Sequence, residues 1–344
     1  MISHPLSLAV AAMDAVGLLM ILSAAATAVQ VVLFWSPAST AAGQIRLEVK
    51  TESAFMLVPW AAGIYVMASL MLIGLVTNVL PHMVPGAMCG TGVMQATGGS
   101  GIRAMGFRLL VVVLLFFWVV LERLNHDRPD VPITALNARL LLISVPIIAI
   151  AALDTFRMFR DLDVQTPVDC CAAVYDLVDA SGGLRAAGAI PDVWWLRGYC
   201  LLSPLLLAAG WRVWRRKNSP GSTCFFLMAG LAPAWVLAAY KSLIKILAAY
   251  YYGVLHHHCP WCLFLPEHRF IGFPLFAALL VVLLEGPGAY IVARVARRFP
   301  VLGPAADQRC RTAGRRLTMA LMVFGALSGV PAILWRLRYG VWMG

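Results

Sequence analysis

Charge is what this sequence has least of. Only 12% of its 344 residues are Asp, Glu, Lys or Arg, about half the share of an ordinary soluble domain. With 61% hydrophobic residues and a mean hydropathy of +0.82, the chain reads as a polytopic membrane protein. No polar stretch between the apolar runs is long enough for a soluble domain of any size. Lys and Arg are absent before Arg46, which argues against a cleaved signal peptide and for a retained first helix. Internal repeats and low-complexity tracts are also lacking. The Gly- and Met-rich segment 81–105 has neither a preceding strand nor a following Lys-Ser/Thr, so a phosphate cradle is excluded. The Arg clusters are short and flank apolar runs, which speaks against a nucleic-acid partner.

What is present is a set of eight apolar runs, at 8–34, 54–80, 106–121, 138–157, 195–213, 223–250, 262–285 and 316–337. Each is of the order of the ~20 residues a helix needs to cross a bilayer. The expected fold is therefore all-α with about eight transmembrane helices. The basic groups Arg123/Arg128/Arg139, Arg212/Arg215/Arg216/Lys217 and Arg294 to Arg316 fall on one side of this count. An excess of Lys and Arg marks the cytoplasmic side. The acidic loop 158–194 and the segment 251–262 then face outward, as do both termini.

The orientation sorts the eight cysteines. Cys89, Cys170, Cys171, Cys200, Cys259 and Cys262 lie toward the outer face, and Cys224 and Cys310 toward the inner one. Thiols on an oxidising face can form disulfides, whereas cytoplasmic ones stay reduced. The sharpest motif is His256-His257-His258-Cys259-Pro260-Trp261-Cys262. Two cysteines one helical turn apart can close into a disulfide and reopen. If Cys259 opens the following helix, the free N–H groups there favour its thiolate. Two other readings stand beside this one: half of a metal site completed by His256, His257, His258 or His268, or two buried thiols. A c-type haem is excluded because Leu263, not His, follows the second cysteine. The histidines also suit proton exchange near neutral pH, or a solvated polar collar.

The order of motifs carries a resemblance. Val168-Asp169-Cys170-Cys171 comes first, then Gly188-Ala189-Ile190-Pro191 running to Gly198-Tyr199, then Cys259-Pro260-Trp261-Cys262-Leu263. This resembles the vitamin K epoxide reductase family in its bacterial, quinone-linked form, over about residues 138–285. The resemblance implies a four-helix redox bundle made of the fourth to seventh spans in a bacterial inner membrane. It also implies electron flow from a thioredoxin-fold periplasmic partner, through loop cysteines and the CPWC pair, to ubiquinone or menaquinone. Carried over, Cys262 stands next to the quinone, Cys259 exchanges with the loop, and Cys171 is the loop cysteine, with Cys170 beside it. The family separates its two loop cysteines, whereas here they are adjacent. Cα atoms ~3.8 Å apart are closer than the ~4.4–6.8 Å of an ordinary disulfide. Cys170 and Cys171 therefore form a strained pair, or one of them pairs with Cys89 or Cys200, or they form no bridge. No second CxxC exists in the chain, so the thiol partner is expected to be a separate protein.

This gives an expected organisation of three parts: an N-terminal three-helix region (1–137), the redox bundle (138–285), and a basic loop with a last helix (286–344). Lys241 and Lys245, one turn apart on the sixth span, are charges within or near the membrane. They either snorkel to the surface or serve a quinone site. Trp194 and Trp195 belong to an interfacial aromatic belt and are candidate walls of the quinone pocket. Asp154 is expected at the interface, with a proton relay as the other reading. The expected function is a membrane thiol–disulfide oxidoreductase, in contact with lipid and the quinone pool. The reading from another class is a non-catalytic structural or metal-binding subunit of a membrane complex.

Overall fold

The computed structural model describes residues 4–36, 39, 41–127, 131–169, 191–215 and 222–343. Cys170 and Cys171 lie outside the described residues. Among these residues the chain is helical, and eight helices are long and apolar enough to cross a membrane. The protein is a multi-pass membrane protein.

The chain divides into two compact units. The first comprises Met1–Ala87 and Gly92–Val168, and the second Met88–Thr91 and Asp169–Gly344. The first unit holds α1 (Pro5–Phe34), α2 (Ala42–Phe55), α3 (Leu57–Asn78), α4 (Gly90–Ala96) from Gly92 onward, α5 (Ser100–His126) and α6 (Thr134–Asp161). Its four long helices close a ring in which α1 packs on α3 and α6, and α5 packs on α3 and α6. Helix α1 begins where Pro5 occupies the first turn and His4 Nδ1 accepts the Leu6 N–H, since proline lacks the donor that the first turn cannot use. The helices are apolar almost all round, as expected where lipid replaces water.

The main polar contacts inside this bundle converge on one side chain. Arg108 of α5, 3% exposed, reaches all three neighbours. It donates to Asp14 of α1, to Ser69 Oγ of α3 at 3.1 Å and to Thr155 Oγ1 of α6 at 3.2 Å. Its guanidinium also lies 5.0 Å from the Tyr65 ring centroid. A charge at such depth is costly unless paired, so these contacts fix the register of four helices at once. A second clasp closes the α5–α6 connection, where Asn125 donates to Thr134 and accepts from the Ile133 N–H. Asp154, expected at the interface, is buried and takes Arg103 at 3.6 Å and Arg157 at 3.3 Å.

The second unit holds α7 (Asp192–Arg215), α8 (Ser222–Ser242), α9 (Ala249–Tyr252), α10 (Gly272–Arg298) and α11 (Gly303–Tyr339). Helices α7, α8, α10 and α11 close a second ring, each packed on two others. With no hydrophobic force between helices in lipid, close approach of small residues matters. At the α7–α11 crossing a Cβ on Gly314 would stand 2.8 Å from the Gly210 carbonyl oxygen. An aromatic trio fills the ring, with Tyr199, Trp235 and Phe324 centroids 5.3–5.9 Å apart. Trp235 donates its indole N–H to Ser203 Oγ at 2.8 Å, which satisfies the buried polar edge.

The structure corrects three expectations. The fourth span, α6, packs with α1 and α5 instead of joining the fifth to seventh, and the last span, α11, completes the second ring in its place. Asp14, Arg108 and Thr155 explain the first exchange, because they bond α6 into the first unit. Secondly, the basic stretch Arg309 to Arg316 is not a loop but part of α11, where Arg309 and Arg316 reach the buried Glu285 of α10 at 2.7 and 3.0 Å. Thirdly, the seventh span starts at Gly272, ten residues after Cys262.

Candidate functional site

Helix α8 runs into a π turn, Leu243–Leu247, and one last α turn, Ala249–Tyr252. Gly253 stops it in the left-handed conformation, φ 68°, which glycine adopts without steric cost. The chain then turns through the histidines to Cys259. Residues Trp261–Phe264 form a single 3-10 turn. Leu265 is extended (ψ 153°), as the residue before Pro266 must be. Arg269 and Phe270, both at φ 55°, keep the chain from continuing as a helix. The CPWC pair therefore sits on an irregular connection, and Cys259 does not open a long helix. The positive helix-end field expected at Cys259 is replaced by something else: direct contacts among thiols.

A third thiol comes from far away in sequence. Cys89, on the four-residue segment counted with the second unit, places its Sγ 3.3 Å from Cys259 Sγ. The Sγ atoms of Cys89, Cys259 and Cys262 all lie within 4.8 Å of one another, and all three residues are buried. Thr91 Oγ1 stands 3.2 Å from Cys259 Sγ. Gly90 makes this approach possible, because a Cβ there would meet the Trp261 ring at 2.8 Å. Tyr252, Trp261 and Leu265 pack around the three sulfurs.

The histidines and Tyr252 fix the connection. The Tyr252 hydroxyl donates to the Cys259 carbonyl at 2.5 Å. Its ring lies edge-on between His257 and His268, with centroids 4.7 and 4.9 Å away. His258 Nδ1 lies 3.2 Å from the Ile244 carbonyl. A carbonyl only accepts, so Nδ1 carries the proton. The π turn supplies that carbonyl, and π turns recur at functional sites. His257 Nε2 lies 3.3 Å from Cys262 Sγ. Burial lowers the pKa of His257, which favours the neutral imidazole that can take a proton. Hydrogen bonding from Cys262, then from Cys89, holds the Cys259 pKa below the usual thiol value. The same bond to Cys259 raises that of Cys262. Within the pair the ionised form is therefore favoured at Cys259 over Cys262.

The other candidates lie as follows. Trp194 is exposed, with the Arg197 guanidinium 4.8 Å from its ring. Trp195 is half-buried, and neither tryptophan is among the residues packed on the three sulfurs. Lys241 is exposed at the end of α8, and Lys245 is half-buried within the π turn that binds His258. Cys200 is exposed and Cys224 half-buried, both as free thiols. Cys310 donates to the Ala289 carbonyl at 3.5 Å. The role of Tyr252 and Thr91 was not read from the sequence. Cys89 was, but only as one of two alternatives for a loop cysteine. Its signal was a cysteine inside a Gly-rich stretch that lets backbones approach closely.

No protein-family model, no curated protein and no solved structure matches the chain. The functional reading therefore rests on the residues.

Proposed function

We propose that the protein is a membrane thiol–disulfide oxidoreductase centred on Cys89, Cys259 and Cys262. The observation that carries this reading is three buried thiols within 4.8 Å, with Cys89 Sγ 3.3 Å from Cys259 Sγ. Disulfide exchange needs an attacking thiolate, a central sulfur and a leaving sulfur in mutual reach. Here Cys259 is the central sulfur. When a Cys259–Cys262 disulfide is attacked at Cys259 by the Cys89 thiolate, the Cys89–Cys259 bond forms and Cys262 leaves as a thiolate. His257, in contact with Cys262, exchanges the proton that Cys262 gains or loses.

The loop dithiol then reduces the Cys89–Cys259 disulfide by attack at Cys89, so that Cys259 leaves as a thiolate and the loop takes up the disulfide. Closing Cys259–Cys262 from the two thiols so formed releases two electrons and two protons. The acceptor in this reading is a quinone, which becomes hydroquinone, as the resemblance to the vitamin K epoxide reductase family implies. Cys89 is buried, so an external dithiol needs a carrier. Cys170 and Cys171 take that role, and a thioredoxin-fold protein on the outer face of a bacterial inner membrane is the expected donor. Trp194, Trp195, Lys241 and Lys245 remain the residues assigned to the quinone. Direct contact between Cys89 and Cys259 changes one part of the transferred mechanism: the loop cysteines exchange with Cys89 before Cys259.

The test is mass spectrometry of alkylated, digested membranes carrying Cys262→Ser. Without the resolving thiol, the expected species is a Cys89–Cys259 disulfide, with Cys171–Cys259 minor. Undiminished quinone-dependent thiol oxidation in Cys262→Ser membranes would end the enzyme reading.

A further inference from the structure

The same three sulfurs carry an inference that goes beyond electron transfer. We propose that the reduced cluster binds one copper(I) ion through Cys89, Cys259 and Cys262. A thiolate–metal bond of about 2.3 Å places three sulfurs around one ion roughly 4 Å apart. The sulfurs here stand 3.3 Å apart at their closest observed contact and no more than 4.8 Å apart. Shifts of less than about 1 Å per sulfur would bring them onto one ion, on that same bond length.

The donor set selects the ion. Three thiolates are soft ligands, which favour copper(I) among biological metals. Zinc would require a fourth donor for its tetrahedral site. His257 Nε2 contacts Cys262 Sγ at 3.3 Å, but it is not within the mutual 4.8 Å reach of all three sulfurs. A trigonal site needs no such donor. Burial by Tyr252, Trp261 and Leu265 keeps water off the ion and disfavours copper(II). Loading involves no change of oxidation state: three S–Cu bonds form, and the protons still held on the thiols leave.

The sequence around Cys89 adds a second, independent feature. Met88, whose thioether is a soft ligand, directly precedes Cys89 and is 75% exposed. It offers an ion a first contact beside a buried thiol. Tyr252 on the Cys259 carbonyl and Thr91 at the Cys259 sulfur hold that one ligand in place, as outer-shell partners do in metal sites. Copper and a disulfide exclude one another, because a bonded sulfur is no thiolate. Bound copper(I) therefore stops exchange at this centre.

The experiment is an anaerobic titration of the reduced full-length protein in detergent. Copper(I) is supplied in competition with a chromogenic copper(I) chelator, and a parallel series uses zinc(II). One copper per chain is expected, with X-ray absorption reporting three sulfur neighbours. Outer-shell partners alone are worth about 10–100-fold in affinity, so Cys89→Ser should weaken binding by more than that. Cys200→Ser and Cys224→Ser should leave it unchanged, and His257→Ala should change it less than about tenfold. Thermal unfolding of metal-free Cys89→Ser distinguishes a lost ligand from a lost fold, and Cys89→Met, which retains a soft donor, should recover part of the affinity. No retained copper, two sulfur neighbours, zinc bound in preference to copper, or affinity unaffected by Cys89→Ser would each overturn the proposal. Copper binding without exchange activity would keep it and sink the oxidoreductase reading. Exchange without copper binding would do the reverse.

Discussion

In the first bundle the strongest polar group, Arg108, sits within the helical layer and is tied to α1, α3 and α6. In the second bundle the centre of the helical layer is filled by Tyr199, Trp235 and Phe324, and the buried charge of Glu285 is paired with Arg309 and Arg316. Its chemistry-bearing groups lie in the irregular connection between α9 and α10. The difference follows from what each position allows. A charge among helices can only be locked by its partners, so it specifies packing. A thiol on a short, well-packed connection can change its bonding partner without moving a helix.

Mutations can break this contrast. The largest effect is expected at Cys259→Ser and at Cys262→Ser: quinone-dependent thiol oxidation falls to background while thermal unfolding of the purified protein is unchanged. A matching loss of stability would show that the sulfurs hold the fold together, as Arg108 does.

Next comes Arg108→Ala. It leaves Asp14 buried without its cation, and removal of one member of a buried pair costs about 3–5 kcal/mol. Denaturant unfolding in mixed micelles measures it. Replacing both partners, Asp14→Leu with Arg108→Met, should recover most of the loss, since well-packed apolar pairs often match buried ion pairs. If the double variant is as unstable as the single one, the pair is more than a packing device.

A smaller effect is expected at Gly90→Ala. The added methyl meets the Trp261 ring at 2.8 Å, and overpacking of this kind costs about 1–3 kcal/mol. Its sharper readout is the yield of Cys89–Cys259 disulfide under mild oxidation, which should fall because Cys89 is pushed from Cys259. An unchanged yield would mean that the connection yields easily and is not rigidly packed.

The smallest effect is predicted for Cys224→Ser. This half-buried free thiol should alter neither exchange nor stability by more than about 0.5 kcal/mol, the usual range for substitutions away from special features. A larger effect on exchange would move the chemistry away from the three-thiol cluster.

The sequence by itself determined the class of protein. Eight apolar runs in a chain with 12% charge admit only a multi-span helical membrane protein, because helix length and lipid solvation are local constraints. It also marked Cys259 and Cys262, since their spacing is itself a chemical signal. It did not determine where the helix after them begins. Leu265-Pro266 and the left-handed Arg269-Phe270 set that start at Gly272; the polar break Pro266-Glu267-His268-Arg269 is short enough to be absorbed when the run is counted by length alone. Nor did it decide which helices share a bundle. Apolar surfaces in lipid all look alike, and the choice falls to a few polar contacts such as Arg108 with Asp14 and Thr155. The meeting of Cys89 with Cys259, 170 residues apart, was likewise left to the tertiary structure. Nothing local to either cysteine names the other, and only the folded chain, with Gly90 laid against Trp261, brings a third sulfur to the pair.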